Sequence, residues 1–124
     1  MIYLYLVYRD AGLWEGMGAD ERAALDQARL ANDQELRRNG HLHAVEAPDS
    51  SGALTIQLVD GALSLGEGPA RSERGALIQL YLIDARDLNE AIRLAAQLPQ
   101  ARAGPVELWP VRDLASKLVL DTTP

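Results

Sequence analysis

The only histidines of the 124-residue chain, His41 and His43, offer side chains whose charge normally changes near neutral pH. They stand two positions apart in the run "HLHAVE", which we predict to be a strand, so both would lie on one face of a sheet. On that face either histidine could act as an acid or base, with Glu107 or Tyr81 as its partner. Glu107 could also complete a metal site of two histidines and one carboxylate. Two histidines are too few for a closed zinc site, and we predict neither a metal nor a cofactor.

A wider set of aromatic and polar side chains alternates with aliphatic ones along the predicted strands. Because successive residues of a strand point to opposite faces, we expect the aliphatic set under the helices and the aromatic set on a helix-free face. An exposed aromatic patch of that size usually meets a partner or a ligand. The predicted helix side holds Ile2, Leu4, Leu6, Leu42, Ala44, Ile78, Leu80, Leu82, Val106 and Leu108, and the predicted helix-free side holds Tyr3, Tyr5, His41, His43, Gln79, Tyr81, Glu107 and Trp109.

A charged loop, "LGEGPARSERG" at residues 65–75, could also take part in recognition. It has no lysine and leads into a strand rather than a helix, so it is not a phosphate-binding P-loop. Its charges either form solvated or intersubunit ion pairs or cover the mouth of a pocket, where Arg71 or Arg74 would meet an anionic ligand. We count Glu67 and Arg71 among the candidate ligand-binding residues. Trp14, after the first strand, could close the same mouth or serve only local packing.

The elements that position these residues follow from hydrophobic periodicity and turn signals. Asp60 and Gly61 between two apolar runs predict a type I′ hairpin, because both central residues of that turn need a positive φ. Asp87 and Glu90 form a capping box for the second helix, whereas Gly18 leaves the first helix without a capping side chain. The predicted strands are 1–8, 41–46, 53–59, 62–65, 76–85 and 105–111, the predicted helices are 19–39 and 87–98, and residues 9–18 are predicted to be a loop.

The order β-α-β, hairpin, β-α-β predicts an α+β fold of the ferredoxin-like βαββαβ type with an inserted β-hairpin. We predict one domain over residues 1–111, followed by a tail over residues 112–124 that we assign to no element. Each helix is expected to bury an apolar stripe against the sheet. The predicted stripes are Ala24, Leu25, Ala28, Ala31 and Leu36 in the first helix, and Leu88, Ala91, Ile92 and Ala95 in the second.

The composition excludes several classes of protein. The net charge of −6 argues against binding to nucleic acid or to an anionic membrane surface. The absence of cysteine excludes disulfides, thiolate metal sites and thiol nucleophiles. No apolar run approaches the roughly 20 residues that span a bilayer, and no signal peptide opens the sequence, so we expect a cytoplasmic protein.

A motif in the second half of the chain resembles a known family. Residues 1–111 are similar to the DGPF branch of the YCII-related family, in which Asp60-Gly61 and Gly68-Pro69 stand at matching places. Three signature positions differ, because Glu67 replaces an aspartate, Ala70 replaces a phenylalanine and Gly18 stands where a capping serine is usual. Further matches are Glu73, Gly75, Tyr81-Leu82-Ile83-Asp84, Asp87-Leu88, Glu90-Ala91-Ile92, Gly104, Val106-Glu107 and Pro110-Val111.

The resemblance implies a ferredoxin-like subunit that pairs into a dimeric α+β barrel, so a second copy of the chain is the expected partner. Genes of the DGPF branch often stand beside extracytoplasmic-function sigma factors, which hints at regulation. In a related branch a His–Asp pair has been proposed as catalytic. The first helix of this chain has no histidine, so the resemblance assigns no catalytic residue.

Three functions stay open on the sequence alone. The first is a small-molecule-binding, regulatory homodimer with its cavity on the helix-free sheet face. The second is a cofactor-independent isomerase, lyase or monooxygenase that uses His41 or His43 as acid or base. The third is an interaction module whose aromatic face is only an interface, since interfaces are enriched in tyrosine and tryptophan without any chemistry.

Overall fold

The structure is a computed structural model and describes residues 1–70 and 74–112. These two stretches form six strands, three α-helices and two short 3-10 turns. The elements are β1 (Ile2–Arg9), α1 (Ala11–Glu15), α2 (Ala19–Arg38), β2 (Leu42–Glu46), β3 (Leu54–Val59), β4 (Ala62–Glu67), β5 (Ala76–Asp84), α3 (Leu88–Ala96) and β6 (Val106–Pro110), with 3-10 turns at Ser50–Gly52 and Pro99–Arg102.

Four strands form one antiparallel sheet in the order β2-β5-β1-β6, and β3 and β4 form a separate two-stranded sheet. With the hairpin set aside, the remaining strands and the two long helices follow the ferredoxin-like βαββαβ order. The predicted fold is therefore confirmed, including the hairpin inserted between β2 and β5. No helix of the two described stretches is long and apolar enough to cross a membrane.

The predicted turn of the inserted hairpin is also confirmed. Asp60 has a φ of 51° and Gly61 a φ of 78°, as a type I′ turn requires. Strand β4 runs on to Glu67, two residues beyond the predicted end, so Glu67 pairs with Leu54 instead of lying in a loop. The amide of Gly68 extends the pairing by donating to the carbonyl of Ala53 at 2.8 Å.

The prediction of a loop over residues 9–18 is partly wrong, because the short helix α1 lies within it. Asp10 starts this helix by accepting a hydrogen bond from the backbone N–H of Leu13 at 2.9 Å. Five residues are too few for a visible 3.6-residue hydrophobic period, so only the cap could have indicated the helix.

The face assignment of β1 and β5 is wrong, and the two faces must be exchanged. The buried residues of β1 are Tyr3, Tyr5 and Val7, and those of β5 include Tyr81 and Ile83. These side chains pack against α2 and α3 in the core. Tyrosine is buried here because its hydroxyl finds a partner, such as the carbonyl of Ala91 for Tyr5 at 2.5 Å. Of the residues predicted for the helix side, Leu42, Ile78, Val106 and Leu108 do pack against this core.

The buried stripes of the helices also differ from the prediction. In α3 the buried residues are Glu90, Ala91 and Leu94, whereas Leu88 and Ile92 are half exposed. In α2 only Leu25 and Leu36 of the predicted stripe are buried, and Asp33 joins them. Asp33 is accommodated because it forms hydrogen bonds within the core, which a search for apolar periodicity cannot reveal.

The helix-free face of the main sheet is aliphatic at its centre. Leu4 and Leu6 of β1 lie beside Leu82 and Leu80 of β5, and Trp109 opposite Leu4 is 52% exposed. The hairpin presents a similar surface, because one of its faces carries large aliphatic side chains that all stay more than half exposed. This aliphatic hairpin face consists of Leu54, Ile56, Leu58, Leu63 and Leu65, with Glu67 at its end, and the opposite hairpin face consists of Thr55, Gln57, Val59, Ala62, Ser64 and Gly66.

Candidate ligand-binding cleft

A cleft of about 390 Å³ opens on the helix side of the sheet. Its walls come from the C-terminal end of β1, from α1, from the first half of α2 and from the start of β5. The segment after β2 and the 3-10 turn Pro99–Arg102 close the remaining sides. Its lining residues are Arg9, Trp14, Arg22, Leu25, Asp26, Arg29, Ala47, Pro48, Ser50, Ala76, Leu77, Ile78, Gln79, Gln100 and Ala103.

Two glycines allow the backbone at Arg9 to sit deep between neighbouring segments. A Cβ at Gly75 would collide with the carbonyl oxygen of Arg9, and one at Gly104 would collide with that of Tyr8. Gly75 also has a φ of 102°, which side-chain-bearing residues rarely adopt. The amide of Asp10 donates to the carbonyl of Ala103 at 2.8 Å and ties this end of β1 to the segment after Gln100. The two family-motif glycines thus position Arg9 at the cleft.

An arginine–tryptophan cluster forms one wall. The guanidinium carbon of Arg9 lies 3.7 Å from the ring centroid of Trp14, and that of Arg22 lies 4.7 Å from the same centroid. Arg22 also donates two hydrogen bonds to the main-chain oxygen of Trp14, at 3.1 and 2.8 Å. Through these bonds α2 fixes the end of α1. Trp14 therefore lies at this helix-side cleft, where it positions two guanidinium groups.

The charges around the cleft do not balance. Arg29 pairs with Asp26 at 3.3 Å and with Asp33 at 3.5 Å, so its charge is compensated. Neither Arg9 nor Arg22 has a carboxylate within ion-pair distance among residues 1–70 and 74–112. The buried Nε of Arg9 has no acceptor within the described part of the chain. The cleft thus holds two uncompensated guanidinium groups in a chain whose net charge is −6.

A chain of buried hydrogen bonds lies under the cleft. The Tyr81 hydroxyl donates to Oδ1 of Asp33 at 2.6 Å. Nε2 of Gln100 donates to the Tyr81 oxygen at 2.8 Å and to Oε1 of Gln79 at 2.5 Å. Burial, and then the hydrogen bond to Asp33, raise the pKa of Tyr81 well above its ordinary value, so this hydroxyl stays protonated. Tyr81 is a structural donor here rather than a base.

The predicted ligand-binding residues of β1 and β5 divide into two groups. Gln79 lines the cleft, and Tyr81 contacts it through Gln100. Tyr3 and Tyr5 are fully buried in the core and do not line the cleft. Burial, with smaller effects of Tyr3 and Glu90, raises the pKa of Tyr5 to about 12.

The predicted catalytic histidines lie at the opposite end of β5, around Asp84. Nδ1 of His41 is 2.9 Å from the main-chain oxygen of Asp84 and 4.0 Å from Oε1 of Glu90. His43 is more exposed, with Nε2 3.9 Å from a carboxylate oxygen of Asp84. The strand register is irregular between Leu42 and Ala44, where His43 lies. Neither histidine lines the cleft, and a catalytic role for them stays a prediction.

Glu90 is held ionised beside His41. The backbone N–H of Glu90 donates to the Asp87 side chain at 2.9 Å, as the predicted capping box requires. The Glu90 side chain accepts from the backbone N–H of Arg86 at 2.9 Å, one residue before the cap. This bond lowers the pKa of Glu90; burial opposes the effect, and the charges of Arg86, His41 and Arg93 add to it. The ion pairs of Glu90 with Arg86 and Arg93, at 3.1 and 3.4 Å, explain how its side chain is buried.

The remaining predicted site residues lie on the helix-free side or outside the described ranges. Glu107 faces that side, where it pairs with Arg74 at 2.7 Å and accepts from the Trp109 indole at 2.6 Å. No group of three histidine or acidic side chains suited to a metal occurs in residues 1–70 and 74–112. Glu67 is exposed at the end of β4. Arg71 and the tail residues after 112 lie outside the described residues.

The sequence analysis missed three of the residues that define the cleft. Arg9, Arg22 and Gln100 come from β1, from α2 and from the turn after α3, and they carry no local motif. Gly75 and Gly104 were a usable signal, because glycines at two distant positions of a family motif indicate close backbone approach. That signal would have pointed to the end of β1.

The strand order and the cleft together define a ferredoxin-like α+β domain with an arginine-lined cleft between its sheet and its first long helix. The model of the YCII-related domain matches residues 1–115, so the chain belongs to the YCII-related family. No curated protein matches the sequence.

Among solved structures, the chain is similar to the 5-chloro-2-hydroxyhydroquinone dehydrochlorinase TftG from Burkholderia phenoliruptrix AC1100, in complex with 2,5-dihydroxybenzoquinone. The two chains are 16% identical, with 89% of this chain and 94% of that chain covered and a TM-score of 0.49. At this level of similarity we take the fold from the strand order and the family from the family model.

Proposed function

We propose that this YCII-related domain binds a small organic anion in the cleft on the helix side of its sheet. The uncompensated pair Arg9 and Arg22 carries the proposal. Guanidinium groups held near apolar walls lose hydration, and an anion that enters the cleft restores a partner for each. Because the chain as a whole is acidic, the local excess of positive charge is a property of the cleft and not of the surface in general.

The apolar walls favour an organic ligand over a simple inorganic ion. Leu25, Ile78 and Pro48 line the same cleft as the charged groups, and the hydrogen-bonded amides of Gln79 and Gln100 add polar groups of defined position. Apolar walls with a few convergent polar groups are typical of small-molecule sites, and 390 Å³ lies at the small end of their range. This cleft replaces the helix-free face as the proposed position of the pocket, because Gln79 and Tyr81 point towards the helices.

The test uses benzoate as the probe and benzamide as its neutral counterpart. The chain has two tryptophans, so a ¹H–¹⁵N spectrum of the full-length protein contains two indole signals, assigned with the variant Trp109→Phe. We expect benzoate to shift the Trp14 signal, while the Trp109 signal stays in place and benzamide shifts neither. Arg9→Gln should weaken benzoate binding by roughly tenfold, as is usual when a charge-assisted hydrogen bond is lost.

Arg37→Gln is the matched control for that variant. Arg37 is exposed in the last turn of the same helix that holds Arg22, so its replacement removes the same charge far from the cleft. The control should bind benzoate as the unchanged protein does. Equal losses of benzoate affinity in both variants would mean that only the net charge of the protein matters. A Trp14 signal that does not shift with benzoate would overturn the proposal.

We also propose that the chain forms a homodimer through the helix-free face of its sheet. That face carries Leu4, Leu6, Leu80 and Leu82, and the exposed aliphatic face of the hairpin adds to the apolar surface. A two-stranded hairpin is marginally stable alone, so burying its aliphatic face against a second copy would stabilise it most. Native mass spectrometry of the unheated protein should give twice the chain mass, and a bare monomer at micromolar concentration would contradict this pairing.

A further inference from the structure

The hydrogen bonds under the cleft have a fixed direction. Asp33 as a carboxylate can only accept, so the Tyr81 hydroxyl must donate its proton to Asp33. The Tyr81 oxygen is then left as an acceptor, and the atom of Gln100 that faces it must be the nitrogen Nε2. A rotated Gln100 amide would set two acceptor oxygens 2.8 Å apart with no proton between them. The orientation of Gln100 therefore follows from Asp33.

This orientation leaves one acceptor unused. Both protons of the Gln100 amide are committed, one to Tyr81 and one to Gln79. Its oxygen Oε1 is buried and has no donor among the described residues, and the whole residue is only 4% exposed. A buried polar atom without a partner is uncommon and costs free energy, so such an atom at a binding cleft indicates a missing donor.

A second unpartnered group of the opposite kind lies at the same cleft. Nε of Arg9 is a buried cationic donor without an acceptor, and both Arg9 and Gln100 line the cavity. Two residues that line the cleft thus each hold a buried polar atom without a partner among the described residues, one a donor and one an acceptor. A simple carboxylate satisfies only the first of them, because it has no proton to give.

We infer that the ligand of this cleft is a small hydroxylated carboxylic acid, whose carboxylate binds the arginine pair and whose hydroxyl donates to Oε1 of Gln100. The inference rests on the proposed function and adds the second polar group of the ligand. A ring-bearing hydroxy acid suits the apolar walls formed by Leu25 and Ile78.

The experiment compares benzoate with the three hydroxybenzoate isomers and their methyl ethers on the full-length protein, by calorimetry and by the Trp14 indole signal. A methyl ether keeps the oxygen but removes its proton, so it isolates the donated hydrogen bond. We expect at least one hydroxybenzoate to bind about tenfold more tightly than benzoate, and its methyl ether to bind no more tightly than benzoate.

Gln100→Met should reduce the ratio of the benzoate and hydroxybenzoate dissociation constants to about one, whereas Arg37→Gln should keep it. If Gln100→Met does not fold, the comparison of hydroxyl with methyl ether decides alone. Binding of benzoate without any hydroxyl preference would overturn this inference and leave the proposed function standing. If neither benzoate nor any hydroxybenzoate moves the Trp14 signal, the proposed function fails as well.

Discussion

The two faces of the main sheet solve the problem of burial in different ways. Towards the helices, Tyr5, Tyr81 and Gln79 are buried together with the hydrogen-bond partners that they need. On the other side, Leu80 and Leu82 need no partner atoms, but they are only partly covered within one chain. Within one chain the helix-covered face is buried, although Oε1 of Gln100 lacks a partner at the cleft, whereas the aliphatic centre of the helix-free face is only partly covered.

This difference suits the two faces to different tasks, ligand specificity on the polar side and association on the aliphatic side. A polar network has few arrangements that satisfy every group, so the helix-covered face fixes Gln100 and Gln79 beside the cleft. An aliphatic surface accepts any apolar cover of suitable shape and thus suits pairing with a second copy. The proposed ligand cleft and the proposed pairing surface therefore lie on opposite faces of the same four strands.

The largest expected effect is on the free energy of unfolding, when Tyr81 or Leu82 is replaced; these neighbours in β5 lie on opposite faces of the sheet. Tyr81→Ala should lower the free energy of unfolding by about 3–5 kcal/mol, because it leaves a cavity and removes the hydrogen-bond partner of Asp33 and Gln100. Leu82→Ala should cost less at low protein concentration and more at high concentration, because its cover comes from the second copy. Urea titrations at two concentrations separate these cases.

The contrast would break down under two outcomes. If the Tyr81→Ala loss also grew with protein concentration, the helix-covered face would depend on association too. If the Leu82→Ala loss were independent of concentration, Leu82 would be covered within one chain. Both results are read from the same pair of curves, with the unchanged protein as reference.

A second prediction acts on the helix-free face alone. Leu82→Lys places a charge at its aliphatic centre and should convert the dimer into a monomer, because burying an unpaired charge at an interface costs several kcal/mol, on the order of the association energy itself. Gln57→Lys is the matched control, since Gln57 lies on the mostly polar face of the hairpin. Native mass spectrometry should show the mass halved for the first variant and unchanged for the second, and a dimeric Leu82→Lys would place the interface elsewhere.

The successes of the sequence analysis concern local chemistry. The type I′ turn at Asp60 and Gly61 and the capping box of α3 depend on residues within four positions of each other. With these fixed, the order of strands and helices left few topologies, and the ferredoxin-like order was among them. Local signals therefore sufficed for the fold.

The failures concern relations between distant residues. Alternation in β1 shows which side chains share a face, but it does not show which face turns inwards. The sequence analysis chose the aliphatic face, whereas the structure buries Tyr3 and Tyr5. The partner of the Tyr5 hydroxyl, the carbonyl of Ala91, lies 86 positions along the chain. The cleft failed for the same reason, since its cations and amides converge from four segments of the chain.

The smallest predicted effect concerns the buried hydroxyls of the helix-covered face at alkaline pH. Burial raises the pKa of Tyr5 from 10.0 to about 12, so the folded protein keeps a proton that the unfolded chain loses earlier. The stability from this group is complete below pH 10 and is lost as the pH rises towards 12, because the unfolded state then binds fewer protons. Tyr81 acts in the same direction through burial and its bond to Asp33.

Urea titrations from pH 9 to 12, together with tyrosinate absorbance, should show the free energy of unfolding falling over this range and a shallower fall in Tyr5→Phe. Release of the Tyr5 proton near pH 10 from a protein that is still folded would mean that this hydroxyl reaches water, and the helix-covered face would then not be the closed one.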